Sequence, residues 1–409
     1  MKAVQFEFSI PRWGFTKLAG AVSPGMFNGR TGCVQMRDIP EPSLRGPRWV
    51  KLRSVLSGFC GSDIGAIMLH DSPTAEPFTS FPFVLGHENC SIVADVGSEV
   101  EGIEVGDRVT VLPPLGCAAR QIEPPCGPCS RGDVGLCENF AEGALCPGVD
   151  IGFCADTGGG WSKYYLVPSS NVVKVPDSLS DEQVVIMESL CSSLHPVSRV
   201  RPRDGESVLV IGCGAIGLGV IASIKALGID CRITGLEPVP LNREKAREKG
   251  ADEMIDPASE SIYERTAGIT GARVYRPVIL EKEICMGGFD CVFDCVGSTR
   301  SIYESLRVAA GGGRVALIGI QTPRRVDWTP VWLKGLTIVG CHAEGMDEYE
   351  GATMSTFELA IRLVEEGKVD LTDLITHRFL LDEYRKAIEV NMHKARFGAI
   401  KTIFDLSGE

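Results

Sequence analysis

The segment VLVIGCGAIG, at residues 208–217, is the strongest indication of how this chain folds. Its first four residues are apolar, which is typical of a buried parallel strand, and the small and apolar residues 214–227 have helical spacing. A second strand-like run at 231–236 and a charged helical segment at 241–249 follow. Because strand and helix alternate, the sequence predicts an α/β fold with a doubly wound parallel sheet and right-handed crossovers.

The glycines of this stretch have the spacing G-x-G-x-x-G, which is typical of a dinucleotide site. Gly212 allows a tight turn, Gly214 lets a pyrophosphate approach the backbone, and Gly217 lets the helix pack close to the strand. The helix would begin at Ala215 and Ile216, whose backbone N–H groups lie at its positive end. We therefore expect these five residues to bind the phosphates of a dinucleotide.

The choice of dinucleotide depends on the next strand end. Glu237 stands 20 residues after Gly217, where a carboxylate can accept both ribose hydroxyls of NAD and repel the 2′-phosphate of NADP. Arg243 lies nearby in the sequence and could instead bind that phosphate. The pattern favours NAD and keeps NADP as the alternative.

Composition sets the remaining limits. The chain has 409 residues, 44% of them hydrophobic, which is enough for two domains. Its net charge of −12 is spread along the chain, and without a basic block it predicts neither nucleic-acid nor membrane binding. No apolar run reaches the length that spans a bilayer, and the first residues lack the apolar stretch of a secretory signal. We expect a cytoplasmic protein.

Four of the 16 cysteines fall within 21 residues: Cys117, Cys126, Cys129 and Cys137. A C-x2-C loop can place two thiolates on one metal ion, and Cys137 would add a third. The fourth ligand is open between Glu123, which repeats the x2 spacing, and Cys117, which is the softer donor. The spacing favours Glu123. Either choice closes the tetrahedron and predicts a structural zinc site.

A second group of motifs consists of FCGSD at 59–63, GHE at 86–88, VGSEV at 96–100 and GDRV at 106–109. With these motifs, the chain resembles the zinc-containing medium-chain alcohol dehydrogenase family, which includes polyol and threonine dehydrogenases. The resemblance extends to about Thr402. It implies a Rossmann domain together with a mostly β, GroES-like catalytic domain that carries a zinc lobe.

The same resemblance implies a division of the chain. We expect a β-rich, zinc-binding catalytic domain at 1–186, an NAD-binding Rossmann domain at 187–343, and a return to the catalytic domain at 344–409. Residues 10–30 have extra length that could cover the substrate cleft or form a surface or subunit-contact insertion, and we favour the second. Residues 266–288 look like a surface elaboration within the α/β half.

The resemblance also assigns site residues. Cys60 and His87 match two ligands of a catalytic zinc, and Glu88 matches an acid that ligates or backs the metal. Glu188 matches the third ligand of polyol-type members, with Cys191 as its competitor. Ser62 matches the hydroxyl that hydrogen-bonds the substrate oxygen.

Two further sets of residues match the family. Cys126, Cys129 and Cys137 resemble ligands of its structural zinc, and Glu123 stands where the family usually has its first cysteine. The residues that match its cofactor site are Gly212, Gly214, Gly217 and Glu237. Many members have a histidine at the position of Gly65, as the last step of a proton relay. His70 lies five residues further on, so the exit of the proton is open.

Together these features imply a zinc-dependent oxidoreductase. It would transfer a hydride between NAD and a secondary alcohol of the polyol, sugar or cyclitol type, with the alkoxide polarised by the catalytic zinc. The alternatives are a carbonyl reductase, an aldehyde dismutase that keeps its NAD bound and, disfavoured by the intact motifs, a non-enzymatic zinc- and nucleotide-binding protein. We expect a homodimer or homotetramer.

Overall fold

The computed structural model describes residues 1–70, 72–279, 283–319, 321–323, 325–342 and 344–408. The contacts within the chain divide it into two units. Unit 1 comprises Met1–Glu188, Glu344–Met346 and Asp370–Glu409, and unit 2 comprises Ser189–Ala343 and Asp347–Val369. The expected domain boundary at residue 343 and part of the expected insertion, residues 280–282, lie outside the described residues.

The secondary structure consists of short strands and helices throughout. The strands are β1 (Lys2–Phe6), β2 (Val34–Asp38), β3 (Trp49–Gly58), β4 (Phe83–Val84), β5 (Asn89–Val96), β6 (Arg108–Val111), β7 (Tyr164–Pro168), β8 (Val172–Lys174), β9 (Ser207–Ile211), β10 (Arg232–Leu236), β11 (Glu253–Ile255), β12 (Arg273–Tyr275), β13 (Ile284–Met286), β14 (Phe289–Asp294), β15 (Ala309–Leu317), β16 (Thr337–Gly340), β17 (Met346–Tyr349), β18 (Ala352–Ser355), β19 (Ile375–Phe379) and β20 (Lys401–Asp405). The helices are α1 (Ile10–Val22), α2 (Gly61–Ile67), α3 (Gly127–Ser130), α4 (Asp181–Val185), α5 (Met187–Val200), α6 (Ala215–Ala226), α7 (Pro240–Glu248), α8 (Ile262–Thr270), α9 (Thr299–Val308), α10 (Thr329–Lys334), α11 (Thr356–Glu365), α12 (Tyr384–Met392) and α13 (Lys394–Phe397).

Unit 2 contains a six-stranded sheet in the order β11-β10-β9-β14-β15-β16, with all neighbours parallel. The order reverses direction between β9 and β14, and a doubly wound sheet binds its ligand at such a point. The apolar run predicted as a buried strand is β9, where Val208, Leu209 and Val210 are fully buried. The predicted doubly wound parallel sheet is therefore confirmed.

Unit 1 is built around β3, the longest strand. It pairs antiparallel with β5, with β7 through its first half and with β20 through its end, where Gly58 lies opposite Ile403. Along β3, Val50 and Leu52 are buried while Lys51 and Arg53 are half-buried, as expected for a strand with one face toward a core. A separate three-stranded sheet has the order β2-β1-β4.

The two expected insertions have regular structure. The first contains α1, which Ser9 caps and which buries Gly20 against the ring of Phe27. The second contains most of α8 and a hairpin of β12 and β13. Within the described parts of the chain, we find no helix with the length and apolarity needed to cross a membrane.

Candidate active site

Cys60 lies at the junction between β3 and α2. It is the N-cap of α2, and the Asp63 side chain accepts a hydrogen bond from the Cys60 backbone N–H at 2.9 Å, which forms a capping box. Asp63 is fully buried, and burial raises the pKa of its carboxyl to about 6. This local structure fixes the Cys60 thiol at the start of the helix.

His87 lies between Asp63 and Ser62. Its Nδ1 is 3.7 Å from Asp63 Oδ1, and its Nε2 is 3.4 Å from Ser62 Oγ. Burial lowers the pKa of His87, but the charge of Asp63 and a hydrogen bond with Cys60 outweigh it and raise the pKa well above its ordinary value. Two predicted metal ligands and the predicted substrate-binding serine are therefore brought together.

Glu88 forms a buried ion pair with Lys401 of β20. Lys401 Nζ also donates to the carbonyl of Phe59 at 3.1 Å. Burial lowers the pKa of Lys401, but Glu88 raises it above its ordinary value. Gly58 makes room for the pair, because a Cβ there would lie 2.1 Å from Glu88 Oε2. The ammonium group of Lys401 therefore compensates the buried charge of Glu88.

Glu188 is the second residue of α5 and is buried. Its charge acts on His87 and on Lys401, raising the pKa of both. Cys191, its competitor in the sequence, is fully buried one turn further along the helix, in the part that belongs to unit 2. Unit 1 therefore includes Cys60, His87, Glu88 and Glu188 in one electrostatically coupled group.

Gly65 and His70 are the two positions considered for the end of a proton relay. Gly65 lies within α2, and its carbonyl accepts a hydrogen bond from the backbone N–H of His70 at 2.8 Å. The His70 ring packs edge-on to Phe27, with ring centres 6.2 Å apart. The His70 side chain is thus placed against the segment that follows α1.

A second group of potential ligands comprises the thiols of Cys117, Cys126, Cys129 and Cys137, which all lie within 4.8 Å of one another. The Sγ atoms of Cys117 and Cys137 are 3.7 Å apart, and those of Cys126 and Cys137 are 4.0 Å apart. A tetrahedral zinc ion with metal–sulfur bonds of about 2.3 Å separates its sulfurs by about 3.8 Å. The donor set and its spacing fit a structural zinc.

Hydrogen bonds and burial act in opposite directions on the pKa values of these thiols. Backbone N–H groups of Cys126, Glu138 and Asn139 donate to three of the four sulfurs at 3.3–3.5 Å. Burial opposes the shift, but such hydrogen bonds lower the pKa of Cys126 to about 7. Burial raises the pKa of Cys137 to about 11, so a bound cation is needed to deprotonate the whole set.

The structure places Cys117, rather than the favoured Glu123, with the other three members of this group. Among the described residues, the metal-binding cluster contains Cys117 and does not contain Glu123. The chain folds back on itself between Cys117 and Cys126, so that the N–H of Cys126 donates to the Cys117 sulfur at 3.4 Å. Sequence spacing favoured Glu123 because it carries no information about this reversal of the chain.

In unit 2, the glycine-rich turn has the geometry that its sequence predicts. Gly212 has φ +83°, and a Cβ on Gly217 would lie 2.0 Å from the carbonyl oxygen of Gly212. A Cβ on Gly214 would meet no atom within 4 Å, so that side of the turn is open. Ala215 and Ile216 form the first turn of α6. The residues fit a bound pyrophosphate.

Glu237 and Arg243 lie beside this turn. The Glu237 carboxylate accepts hydrogen bonds from the N–H groups of Cys213 and Val239, both at 2.8 Å. Arg243 donates to the carbonyl of Glu237 at 2.9 Å and is 3.2 Å from Asp256. The Arg243 guanidinium thus already has partners within the protein. The Glu237 carboxylate is held in place at the end of β10 by its two backbone hydrogen bonds.

Comparisons with known proteins agree with this geometry. The family model for the alcohol dehydrogenase GroES-like domain matches residues 46–177, and the model for zinc-binding dehydrogenases matches residues 215–358. The chain is 30% identical over 356 residues to an L-threonine 3-dehydrogenase of Pyrococcus abyssi, which covers 86% of this chain and 90% of that protein. The chain belongs to the zinc-containing alcohol dehydrogenase family.

Two further relatives of this dehydrogenase support the assignment. A protein of Aspergillus fumigatus named "Probable D-xylulose reductase A" is 31% identical over 347 residues, which cover 84% of this chain and 86% of that protein. The solved structure of a zinc-binding dehydrogenase of Sinorhizobium meliloti bound to NADP has a TM-score of 0.69 and 26% identity, and covers 91% of this chain and 95% of that one.

Family membership confirms the predicted combination of a Rossmann domain and a GroES-like domain. It also confirms the predicted class of activity. This dehydrogenase is an oxidoreductase that uses zinc and a nicotinamide cofactor to interconvert small alcohols and carbonyl compounds.

Some residues of the site escaped the sequence analysis. Asp63 had a signal, because an acid three residues after Cys60 fits a capping box. Lys401 had none, since it lies 313 residues from its partner Glu88. Glu344 is the third residue that the sequence did not reveal. It is buried, and the charge of Glu188 raises its pKa while that of His87 lowers it.

Proposed function

We propose that this dehydrogenase oxidises a secondary alcohol of the polyol, sugar or cyclitol type with NAD. The supporting observation is that the half-buried Cys60 and the buried His87 and Glu188 form one electrostatically coupled group, with Ser62 beside His87. A thiol, an imidazole and a carboxylate are donors that zinc accepts, and three protein ligands are typical of catalytic zinc with one open position. The relative named as a xylulose reductase supports the polyol type.

The side chains around the three proposed zinc ligands have separate roles. When bound, zinc would act as a Lewis acid toward the alcohol oxygen, and the nicotinamide would accept the hydride. Asp63 Oδ1, 3.7 Å from His87 Nδ1, would act on the His87 ring through its charge. Ser62 Oγ, on the Nε2 side of that ring, would accept a hydrogen bond from the alcohol hydroxyl and relay its proton by releasing the Ser62 proton to the cofactor ribose. Lys401 neutralises Glu88, so that this acid backs the site.

The preference for NAD over NADP rests on Glu237. Its carboxylate is fixed next to the glycine-rich turn, where it would accept the ribose hydroxyls and repel a 2′-phosphate. Arg243 is bound to backbone carbonyls and to Asp256, and is therefore less available to a phosphate. We also propose that the enzyme is a cytoplasmic homodimer or homotetramer, as expected for its family.

The test of this function is an alcohol panel with each cofactor. We expect NADH formation with at least one of 2,3-butanediol, xylitol, sorbitol and myo-inositol, and NADP should be used about tenfold or more less efficiently, a difference of about 1.4 kcal/mol. Removal of zinc by a chelator should abolish the activity, and added zinc should restore it. Full activity in zinc-free protein, or a preference for NADP, would contradict the proposal.

We propose a second, structural zinc on Cys117, Cys126, Cys129 and Cys137. Replacing Cys117 with serine should lower the zinc content from about two ions per chain to about one, because a thiolate is the stronger donor. Glu123→Gln is the matched control and should keep both ions. Metal analysis of the purified proteins measures this. The opposite result, with zinc lost only in Glu123→Gln, would restore Glu123 as the ligand.

A further inference from the structure

The short segment Glu344–Met346 joins unit 1, although the residues around it in the sequence belong to unit 2. Met346 anchors it. Its backbone N–H donates to Asp133 Oδ1 at 3.4 Å, and its side chain packs against Gly132, where a Cβ would lie 2.7 Å from the Met346 Cγ and Sδ atoms. Gly132 and Asp133 lie between two of the clustered cysteines, so the cysteine cluster holds the segment that carries Glu344.

Glu344 is 97% buried, yet neither of its carboxylate oxygens has a hydrogen-bond partner among the described residues. The same is true of Asp150 Oδ1, within the described part of the chain. Burial raises the pKa of Glu344 well above its ordinary value; Glu188 and Asp150 raise it further, and His87 lowers it. The charges that act on Glu344 thus include two of the proposed zinc ligands.

A buried carboxylate without a donor is costly, and native proteins retain few of them. Such groups occur where a ligand supplies the missing hydrogen bond. Two other acids of the site already have partners within the protein. Glu88 is paired with Lys401, and Asp63 accepts a hydrogen bond from the backbone N–H of Cys60. Among the described residues, Glu344 and Asp150 are acids that interact electrostatically with each other, and Glu344 also interacts with Glu188 and His87. Neither acid has a role in the mechanism proposed above.

We propose that Glu344 determines specificity by accepting a hydrogen bond from a donor group on the carbon beside the reacting alcohol carbon. Asp150 would accept from the same substrate. The donor can be a hydroxyl or an ammonium group, since both present N–H or O–H to a carboxylate. This inference rests on the proposed function, because Glu188 and His87 mark the catalytic zinc only if that function is correct.

The test compares three alcohols with the same four-carbon skeleton: 2-butanol, 2,3-butanediol and 3-amino-2-butanol. They differ only in whether hydrogen, hydroxyl or ammonium stands next to the reacting carbon. Zinc-loaded wild-type enzyme should favour at least one donor-bearing alcohol over 2-butanol by about 10- to 100-fold in kcat/KM. Glu344→Ala should reduce this ratio to within a few-fold of one.

Two variants sharpen the interpretation. Glu344→Gln keeps the shape and one acceptor oxygen, so it should retain most of a preference for the diol and lose a preference for the amino alcohol. It also serves if Glu344→Ala does not fold. Glu348→Ala removes an exposed acid four residues along the same chain and should keep the wild-type ratio.

The outcomes separate the two proposals. If wild-type enzyme oxidises none of the three alcohols and none of xylitol, sorbitol and myo-inositol, the proposed function fails. If it oxidises them but shows no preference, or if Glu344→Ala keeps the preference, the inference about Glu344 alone fails. Loss of one zinc ion in Glu344→Ala would also overturn it, because Glu344 would then be a metal ligand.

Discussion

Replacing Cys60 with serine should lower kcat/KM for alcohol oxidation about a thousandfold or more, while NAD still binds. A Lewis acid contributes several kcal/mol to the transition state, and each 1.4 kcal/mol is a factor of ten in rate. Serine at an N-cap accepts the same backbone hydrogen bond as Cys60 does, so α2 should form as before. The measurements are steady-state kinetics, zinc content and NAD affinity by calorimetry.

The matched control for this variant is Cys146→Ser. Cys146 is an exposed cysteine of unit 1, outside both thiol-containing sites, and its replacement should leave the rate and the zinc content unchanged. A Cys60→Ser enzyme with near-normal turnover would exclude Cys60 as a ligand. A variant that loses NAD binding as well would point to a general folding defect instead.

Replacing Lys401 with methionine should destabilise the protein by about 3–5 kcal/mol. The side chains of Lys401 and Glu88 are 2% and 1% exposed, so the variant leaves a buried carboxylate without its countercharge. The double variant Lys401→Met with Glu88→Gln should recover much of the loss, because no uncompensated charge remains. Denaturant unfolding of the three proteins measures the differences in free energy of unfolding.

An exposed ion pair provides the comparison for this effect. Lys2 and Asp382 are 2.5 Å apart, with side chains 51% and 56% exposed. Lys2→Met should change the stability by at most about 1 kcal/mol, since solvent screens such a pair. Equal effects of the two lysine replacements would show that burial does not set the strength of the Glu88–Lys401 interaction.

The parts of the molecule that the sequence predicted well are local. The G-x-G-x-x-G turn is formed by consecutive residues, and the positions of Gly212 and Gly217 follow from steric limits that act within that turn. The capping box of Cys60 and Asp63 is equally local, so the acid three residues after Cys60 was a signal that could have predicted it. Such features depend on backbone geometry over a few residues, which sequence spacing describes.

The residues that the sequence did not reveal meet only through tertiary structure. Lys401 reaches Glu88 because β20 pairs with β3, and Glu344 joins unit 1 because Met346 packs against Gly132. The position of Cys117 has a related cause, since a reversal of the chain brings it to the other thiols. Pairings of this kind depend on packing across the fold, and a single sequence does not encode them in any spacing.

The pairing of β20 with β3 also affects how the protein is made. During synthesis, β3, β5 and β7 leave the ribosome first, then all of unit 2, and only then β20. Until β20 arrives, residues 56–58 of β3 present an open strand edge, and Glu88 lacks its buried lysine. Open edges promote aggregation of nascent chains. We therefore expect unit 1 to be most prone to aggregation until residues 401–405 have been synthesised and have paired with β3.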